Sequence, residues 1–327
     1  SCQMADAGNW CLIESDPGVF TEMIRGFGVK GVEVEELLAL DPSFYNQMEP
    51  IHGLIFLFKW RENITPEGVP SGGQPIFFAQ QVIQNACATQ ALVNILLNIE
   101  DAEGKHIELG TTLTEFKAFC GEFDSASRGL CLTNSEPIRT VHNSFARQQL
   151  FELDIKGGKE EESYHFVCYL PIHGKIYELD GLQEAPYLVA EVKEGENWMD
   201  AVSPVIHKKM QSHNDGEIHF NLMALVSDKK EKYQRRLDEI ANSGMETEDV
   251  AAEICELTQS IADEEEKTRK HKIENVRRRH NYLPLIVEML RTLAREDKLV
   301  PLVEQALESA EKKRKTREGS EKAKAKA

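Results

Sequence analysis

Strand-like patterns stop part-way along this chain of 327 residues. Up to residue 228, short apolar runs alternate with amphipathic helical segments. The run "HGLIFLFKW" is apolar throughout, which predicts a central strand covered on both faces. Beyond residue 228 lie long charged segments with an apolar stripe, which is typical of helices that pack on another surface. We therefore predict an α/β (α+β) layered domain over residues 1–228 and an all-helical docking extension with a charged tail over residues 229–327.

The two parts differ in net charge. The whole chain has a formal charge of −17, of which the first 228 residues carry −19 and the remainder +2. Such acidity argues against nucleic acid as a partner. It favours a basic partner or substrate through long-range attraction, although acidity can also serve only solubility. The longest apolar run, "GLIFLF", is too short to span a bilayer, and the first residues do not resemble a signal peptide.

The cysteines indicate a reducing compartment. There are seven, an odd number without regular spacing, which does not suit a disulfide framework. No CxxC pair and no Cys/His cluster has the spacing of zinc ligands. The sequence therefore predicts neither a metal site nor a cofactor.

One cysteine lies in a short polar segment, "QVIQNACATQ", between two apolar runs. A helix is predicted to begin at Asn85 or Ala86, which places Cys87 in its first turn. The unpaired N–H groups and positive dipole end there would lower the pKa of the thiol and favour the nucleophilic thiolate. A cysteine nucleophile also needs a base, a group that orients the base, and an oxyanion donor. Taken alone, Cys87 is more readily a buried core residue.

The segment "HFVCYLPIHGKIYELD" predicts a β-hairpin that brings a histidine and an aspartate together. With the turn centred between Ile172 and His173, His165 lies directly opposite Asp180, with Cβ atoms about 4.5–5.5 Å apart. The carboxylate could then fix the imidazole tautomer and stabilise the imidazolium. A slip of one residue would separate the two side chains, and a plain hydrogen bond within the sheet is the alternative.

A glutamine, Gln81, precedes Cys87 by six residues. Its side-chain amide can donate to an oxyanion without carrying a charge of its own. Without a nucleophile nearby, it would be an ordinary polar loop residue.

These segments carry a family resemblance. "FFAQQVIQNACATQALVNILLN", "YHFVCYL" and "YELDGL" resemble the ubiquitin carboxyl-terminal hydrolases, which are papain-like cysteine proteases. The tail "ENVRRRHNYLPLIVEMLRTL" is similar to that of the long, proteasome-associated members. The resemblance implies a papain-like fold with a central, mainly antiparallel sheet flanked by helices. It also implies four roles: Cys87 as nucleophile, His165 as general base and acid, Asp180 as orienter of the histidine, and Gln81 as oxyanion donor.

The resemblance further implies a thiol-dependent deubiquitinase that cleaves after the C-terminal glycine of ubiquitin through a thioester, at the proteasome, in cytoplasm and nucleus. The implied partners are ubiquitin, a proteasomal ubiquitin receptor bound through the C-terminal helices and, in some members, a chromatin-remodelling complex. The segment between Asn143 and Tyr164 is implied to cross the active-site cleft, and Gly157 and Gly158 would make it flexible enough to limit substrate size. The basic run "KKRKTR" could be a nuclear address.

Two other functions fit the same residues. The domain could be a ubiquitin-binding scaffold with weak or vestigial catalysis, or a hydrolase for another ubiquitin-like modifier. A ubiquitin probe with a reactive C-terminus would separate all three possibilities.

Overall fold

The structure is a computed structural model of the chain. It describes residues 10–59, 68–71, 75–83, 85–99, 106–146, 164–212, 220–243 and 247–309. These fall into two compact units. The first unit comprises Ser1–Arg147 and Ile155–Arg279, and the second comprises Gln148–Asp154 and His280–Ala327. The predicted cleft-crossing glycines, Gly157 and Gly158, lie outside the described residues, as does the run "KKRKTR".

A seven-stranded sheet forms the core of the first unit. Its strands are β1 (Val32–Glu36), β2 (Ile51–Lys59), β3 (Val69–Pro70), β4 (Tyr164–Ile172), β5 (Lys175–Asp180), β6 (Tyr187–Glu191) and β7 (Phe220–Ser227). They run in the order β1-β7-β2-β4-β5-β6-β3, and every neighbouring pair is antiparallel. The predicted antiparallel sheet is confirmed, and β2 is central and largely buried, as its apolar sequence predicts.

Helices cover both faces of this sheet. The helices described in the first unit are α1 (Pro17–Gly26), α2 (Pro42–Tyr45), α3 (Cys87–Leu96), α4 (Gly110–Cys120), α5 (Ser125–Asn134), α6 (Glu136–Asn143), α7 (Trp198–Ser212), α8 (Lys229–Ser243) and α9 (Glu248–Arg279). On one face, side chains of α1 and α3 such as Phe20 and Leu92 share a buried core with Phe166 of β4. On the other face, Met199 of α7 packs in a second core with Tyr169 of β4. Strand β4 therefore lies between two apolar layers.

The segment "WCLIESDPGVFTEMI" predicts a helix capped by Asp16, with Pro17 in its first turn, and α1 has this cap. The Asp16 carboxylate accepts hydrogen bonds from the backbone N–H groups of Gly18 and Val19, at 2.9 and 3.2 Å. It also accepts one from the Arg278 guanidinium at 2.8 Å. Burial opposes the charge on Asp16, but the Arg278 contact and the two N–H groups outweigh burial and hold the pKa of Asp16 below its ordinary value. The Asp16–Arg278 ion pair thus connects the start of α1 to the end of α9.

Helices α8 and α9 belong to the first compact unit, although their composition differs from that of the sheet domain. The side chain of Asn275 on α9 is buried and donates to the backbone carbonyl of Gly18 at 3.2 Å. The division of the structure falls after Arg279, whereas the change in composition falls at residue 228. As functional domains, residues 1–228 and 229–327 remain a prediction.

The segment "NYLPLIVEMLRTLAREDKLVPLVEQALESAEKKRK" predicts two amphipathic helices with Pro284 and Pro301 near their starts, and the second unit contains both. These are α10 (Leu283–Arg295) and a helix over residues 299–309. Four apolar side chains occupy one face of α10 and are exposed: Leu285, Ile286, Met289 and Leu290. Among the described residues, no helix is long and apolar enough to cross a membrane.

Candidate active site

Cys87 lies in the first turn of α3, as predicted, although the helix begins at Cys87 itself and not at Asn85 or Ala86. The chain enters the helix through Asn85, which has a left-handed φ of 68° and whose side chain donates to the Trp10 carbonyl at 3.3 Å. No side chain among the described residues caps this helix, because the residue before it is Ala86. The first backbone N–H groups of α3 therefore have no side-chain cap among the described residues, and that of Ala88 interacts with the Cys87 sulfur.

The sulfur of Cys87 lies against β4. Burial raises the pKa of the Cys87 thiol above its ordinary value, and hydrogen bonding to the backbone of Ala88 and Phe166 offsets burial only in part. The prediction of a lowered pKa is therefore wrong for the chain without substrate, because burial of the thiolate outweighs the helix terminus. A thiol held neutral in this way needs a base to accept its proton. The contact with Phe166 places the sulfur beside the residue that follows His165.

His165 and Asp180 are hydrogen-bonded, with Nε2 and Oδ1 2.6 Å apart. The His165 side chain is 5% exposed and that of Asp180 13%. Burial alone would raise the pKa of Asp180. The hydrogen bond and charge of His165, the Leu182 N–H group at 2.9 Å and the charge of Lys209 together hold it below its ordinary value. The predicted proximity is confirmed, and Asp180 is a charged acceptor for the imidazole.

The predicted hairpin register is wrong by two residues. The turn occupies His173 and Gly174, both with positive φ, so Asp180 lies directly opposite Val167 and not His165. Side chains two positions apart project to the same face of a strand, so His165 remains a diagonal neighbour of Asp180. The contact survives because the error is an even number of residues.

Gln81 is docked against the end of β5. Its backbone N–H donates to the carbonyl of Gly181 at 2.7 Å, and its side-chain Nε2 donates to the Ile83 carbonyl at 3.2 Å. Its Oε1 is buried and has no hydrogen-bond partner among the described residues. A Cβ atom at Gly181 would lie 2.9 Å from the Cβ of Gln81 and 2.5 Å from the Gln90 amide. Only a glycine therefore lets the segment that carries Gln81 pack this closely against residue 181. Gln81 thus lies at the end of the strand that carries Asp180, and its oxyanion role stays a prediction.

The sequence analysis missed His142, which supports the first turn of α3. Its side chain is fully buried, with Nδ1 2.7 Å from the Thr89 hydroxyl and Nε2 2.7 Å from the Cys11 carbonyl. Burial lowers the pKa of His142 to about 4, partly offset by the Cys11 carbonyl. A neutral imidazole then donates to that carbonyl and accepts from Thr89. No local signal marks a contact between residues so far apart in sequence.

One acidic cluster in the described part of the chain has the spacing of a metal site. The carboxylate oxygens of Glu33, Glu35 and Glu264 lie within 4.8 Å of one another. The ammonium of Lys267 lies 2.8 Å from Glu35 and 3.7 Å from Glu33. The lysine already supplies the positive charge, so we interpret the cluster as an ion-pair network between β1 and α9.

Comparison with known proteins decides the family. Residues 10–211 match the family model described as "Ubiquitin carboxyl-terminal hydrolase, family 1", and residues 254–299 match a second, described as "Ubiquitin carboxyl-terminal hydrolases". The chain belongs to the ubiquitin carboxyl-terminal hydrolase family. The predicted family is confirmed, and with it the papain-like fold and the assignment as a cysteine peptidase that acts as a deubiquitinase.

Curated relatives of this hydrolase match it over nearly their full length. It is 53% identical to ubiquitin carboxyl-terminal hydrolase ubh-4 of Caenorhabditis elegans, over 95% of this chain and 96% of the relative. It is 40% identical to isozyme L5 of Dictyostelium discoideum, over 95% and 98%. Among solved structures, it is similar to Trichinella spiralis UCH37 bound to ubiquitin vinyl methyl ester. That match has a TM-score of 0.67 and 45% identity, and covers 81% of this chain and 100% of the other.

Proposed function

We propose that this hydrolase binds ubiquitin and cleaves the bond after its C-terminal glycine through a thioester on Cys87. The observation that carries the proposal is the 2.6 Å bond between His165 and Asp180, on a strand whose next residue, Phe166, contacts the Cys87 sulfur. The relative from Trichinella spiralis was crystallised with a ubiquitin vinyl methyl ester, which supports ubiquitin as the ligand. The net charge of −19 on residues 1–228 suits the arginines that precede the C-terminal glycines of ubiquitin.

In the first half of the cycle, His165 accepts the thiol proton as the sulfur of Cys87 attacks the glycine carbonyl carbon. The backbone N–H of Cys87 and the amide of Gln81 donate to the oxyanion. Asp180 stabilises the imidazolium and holds its orientation. The imidazolium then gives its proton to the leaving amine, and the acyl group stays on Cys87 as a thioester.

In the second half, His165 removes a proton from water as the water oxygen attacks the thioester carbonyl. The same donors stabilise the second oxyanion. The sulfur leaves and recovers its proton from the imidazolium. Ubiquitin departs with a free carboxyl group, and one water molecule has been consumed.

A ubiquitin carrying a C-terminal electrophile tests the proposal directly. We expect one adduct of one ubiquitin per chain, and peptide mass spectrometry should place it on Cys87. Alkylating the chain beforehand with iodoacetamide should prevent the adduct. Tight binding without an adduct would support the scaffold alternative, and an adduct formed only with another ubiquitin-like modifier would support the other hydrolase.

We also propose that the second unit docks on a proteasomal ubiquitin receptor. The support is the exposed apolar face of α10 together with exposed Val300, Val303 and Leu307 on the next helix. Exposed apolar faces of this kind mark surfaces that bind another protein. Binding to a chromatin-remodelling complex and residence in cytoplasm and nucleus stay predictions from the family resemblance.

Ending the chain at Arg279 should abolish co-sedimentation with purified proteasomes, because the truncation removes both exposed apolar helices. Hydrolysis of a small ubiquitin ester should stay within about twofold, since the proposed site lies in the other unit. A cut after Asn275 is less clean because it also removes Arg278, which binds Asp16.

A matched pair in the full chain separates docking from truncation. Met289→Glu places a charge on the exposed face of α10 and should weaken association with the proteasome. Arg291→Glu, which lies on the opposite face of α10, should not. Proteasome association retained by the truncated chain would contradict the docking proposal.

A further inference from the structure

A second buried ion pair lies next to the His165–Asp180 pair. The ammonium of Lys209 on α7 donates to Glu178 on β5 at 2.6 Å. The Lys209 side chain is 15% exposed and that of Glu178 4%. Glu178 and Asp180 are two positions apart on one strand, so both carboxylates project to the same face of the sheet. The pair therefore lies on the same face of the sheet as Asp180 and its partner His165.

An aromatic ring connects the two pairs. The Lys209 ammonium lies 5.1 Å from the centroid of the Phe58 ring. That ring packs edge-on against the imidazole of His165, with centroids 5.9 Å apart and an angle of 84° between the planes. On its other side the ammonium lies 5.8 Å from the ring of Tyr169. Positive charge over an aromatic face is favourable, and burial strengthens it.

Burying these two charges is unfavourable unless they are paired, and such pairs seldom add to stability over apolar residues of the same size. What the pair does change is the local electrostatic potential, because charges act over longer distances where water is excluded. The charge of Lys209 already contributes to the lowered pKa of Asp180.

We propose that Lys209 and Glu178 are positioning residues that set the electrostatic potential governing the protonation of His165. The inference rests on the roles proposed above for His165 and Asp180. The titratable groups on the described elements around this imidazole are Tyr164 and Tyr169 of β4, Lys59 of β2, Glu178 and Asp180 of β5, and Lys209 of α7. Lys59 follows Phe58 on β2 and so projects to the opposite face, which leaves Lys209 as the cation on the face of His165 among the described residues.

The two charges of the pair act on His165 with opposite signs. Lys209→Met leaves Glu178 as an unbalanced negative charge, which stabilises the imidazolium. His165 should then lose its proton at higher pH, and the acid limb of the rate profile should move up. Glu178→Gln leaves the positive charge of Lys209 without its partner, which disfavours the imidazolium. Both the titration midpoint of His165 and the pH of the acid limb should then fall. The double variant removes both charges and should return both toward the wild-type values.

The experiment measures two quantities in the full chain: the titration midpoint of the His165 imidazole by NMR, and kcat/KM for a fluorogenic ubiquitin amide from pH 5 to 9. We expect shifts of about 0.5–1 pH unit in opposite directions for Lys209→Met and Glu178→Gln. Lys209→Arg, which keeps the charge, should behave as the wild type. Lys232→Met, at an exposed position of α8, should leave both quantities unmoved.

A purely structural pair would lower activity and thermal stability in both single variants without moving either midpoint. That result, or shifts of the same sign, would overturn the inference. If Lys209→Met does not fold, the downward shift expected for Glu178→Gln decides the question alone. The NMR midpoint does not depend on turnover, so shifts of opposite sign in a chain that hydrolyses nothing would uphold the inference and refute the proposed function.

Discussion

Replacing Cys87 with alanine is expected to lower kcat for a ubiquitin amide by about 10⁴-fold or more. The variant keeps the oxyanion donors and the His165–Asp180 pair but has no sulfur to carry the acyl group. Alanine is also a good helix former, so α3 should begin at the same residue. Steady-state hydrolysis and calorimetric binding of free ubiquitin measure the two consequences separately. Affinity for ubiquitin should be unchanged or nearly so.

Cys255 provides the matched control, because it is an exposed free cysteine on α9. Cys255→Ala should leave both turnover and probe labelling intact. Turnover that persists in Cys87→Ala at more than about a hundredth of the wild-type rate would exclude Cys87 as the only nucleophile.

Replacing Asp180 with alanine is expected to lower kcat by about 10²–10⁴-fold, with a smaller change in KM. The variant removes the acceptor that lies 2.6 Å from Nε2 of His165, so neither the tautomer nor the ring orientation is held. Asp180→Asn should fall between alanine and wild type. Its amide oxygen can accept the same hydrogen bond, but the charge that stabilises the imidazolium is lost.

Asp180→Ala should also change how the free energy of unfolding depends on pH. Because the pKa of Asp180 is lowered on folding, its charged form stabilises the fold at neutral pH. This stabilisation is present above the ordinary pKa, about 3.9, and is lost as the pH falls through the lowered value. The difference in free energy of unfolding between wild type and Asp180→Ala should therefore shrink from pH 7 to pH 3, as measured by urea denaturation.

Asp238→Ala, which removes an exposed carboxylate on α8, should change neither the rate nor this pH dependence. Equal rates for wild type and Asp180→Ala would show that His165 is oriented by something other than the carboxylate.

Elements fixed by local chemistry could be predicted from the sequence. The cap of α1 by Asp16 depends on residues within one helical turn and is confirmed. The predicted start of α3, at Asn85 or Ala86, lies within two residues of the observed start at Cys87. The apolar run of β2 contains its own signal for a strand buried on both faces. The papain-like fold was predicted from the family resemblance. That resemblance could be seen because it rests on short local segments of the sequence.

The hairpin register shows where local reasoning failed. His173 and Gly174 both adopt positive φ, which is the turn that a two-residue hairpin favours, and the sequence analysis placed the turn earlier. The signal for the correct register was the histidine–glycine pair itself. An odd error would have placed His165 and Asp180 on opposite faces, so the predicted contact depended on the parity of the error.

Properties that depend on distant segments could not be predicted. The helix terminus at Cys87 is visible in the sequence, but the burial that raises the pKa of its thiol comes from β4 and the layers around it. His142 and Lys209 reach the site across long sequence separations. Glu178 is an exception, because its two-residue spacing from Asp180 already predicts a shared face.

The raised pKa of Cys87 has a consequence for the lifetime of the enzyme. Peroxides and alkylating agents attack the thiolate far faster than the thiol. A sulfur that stays protonated at rest is thereby shielded from oxidative damage between turnovers. Its reactivity is then released only when His165 withdraws the proton, so protection and activation depend on the same proton.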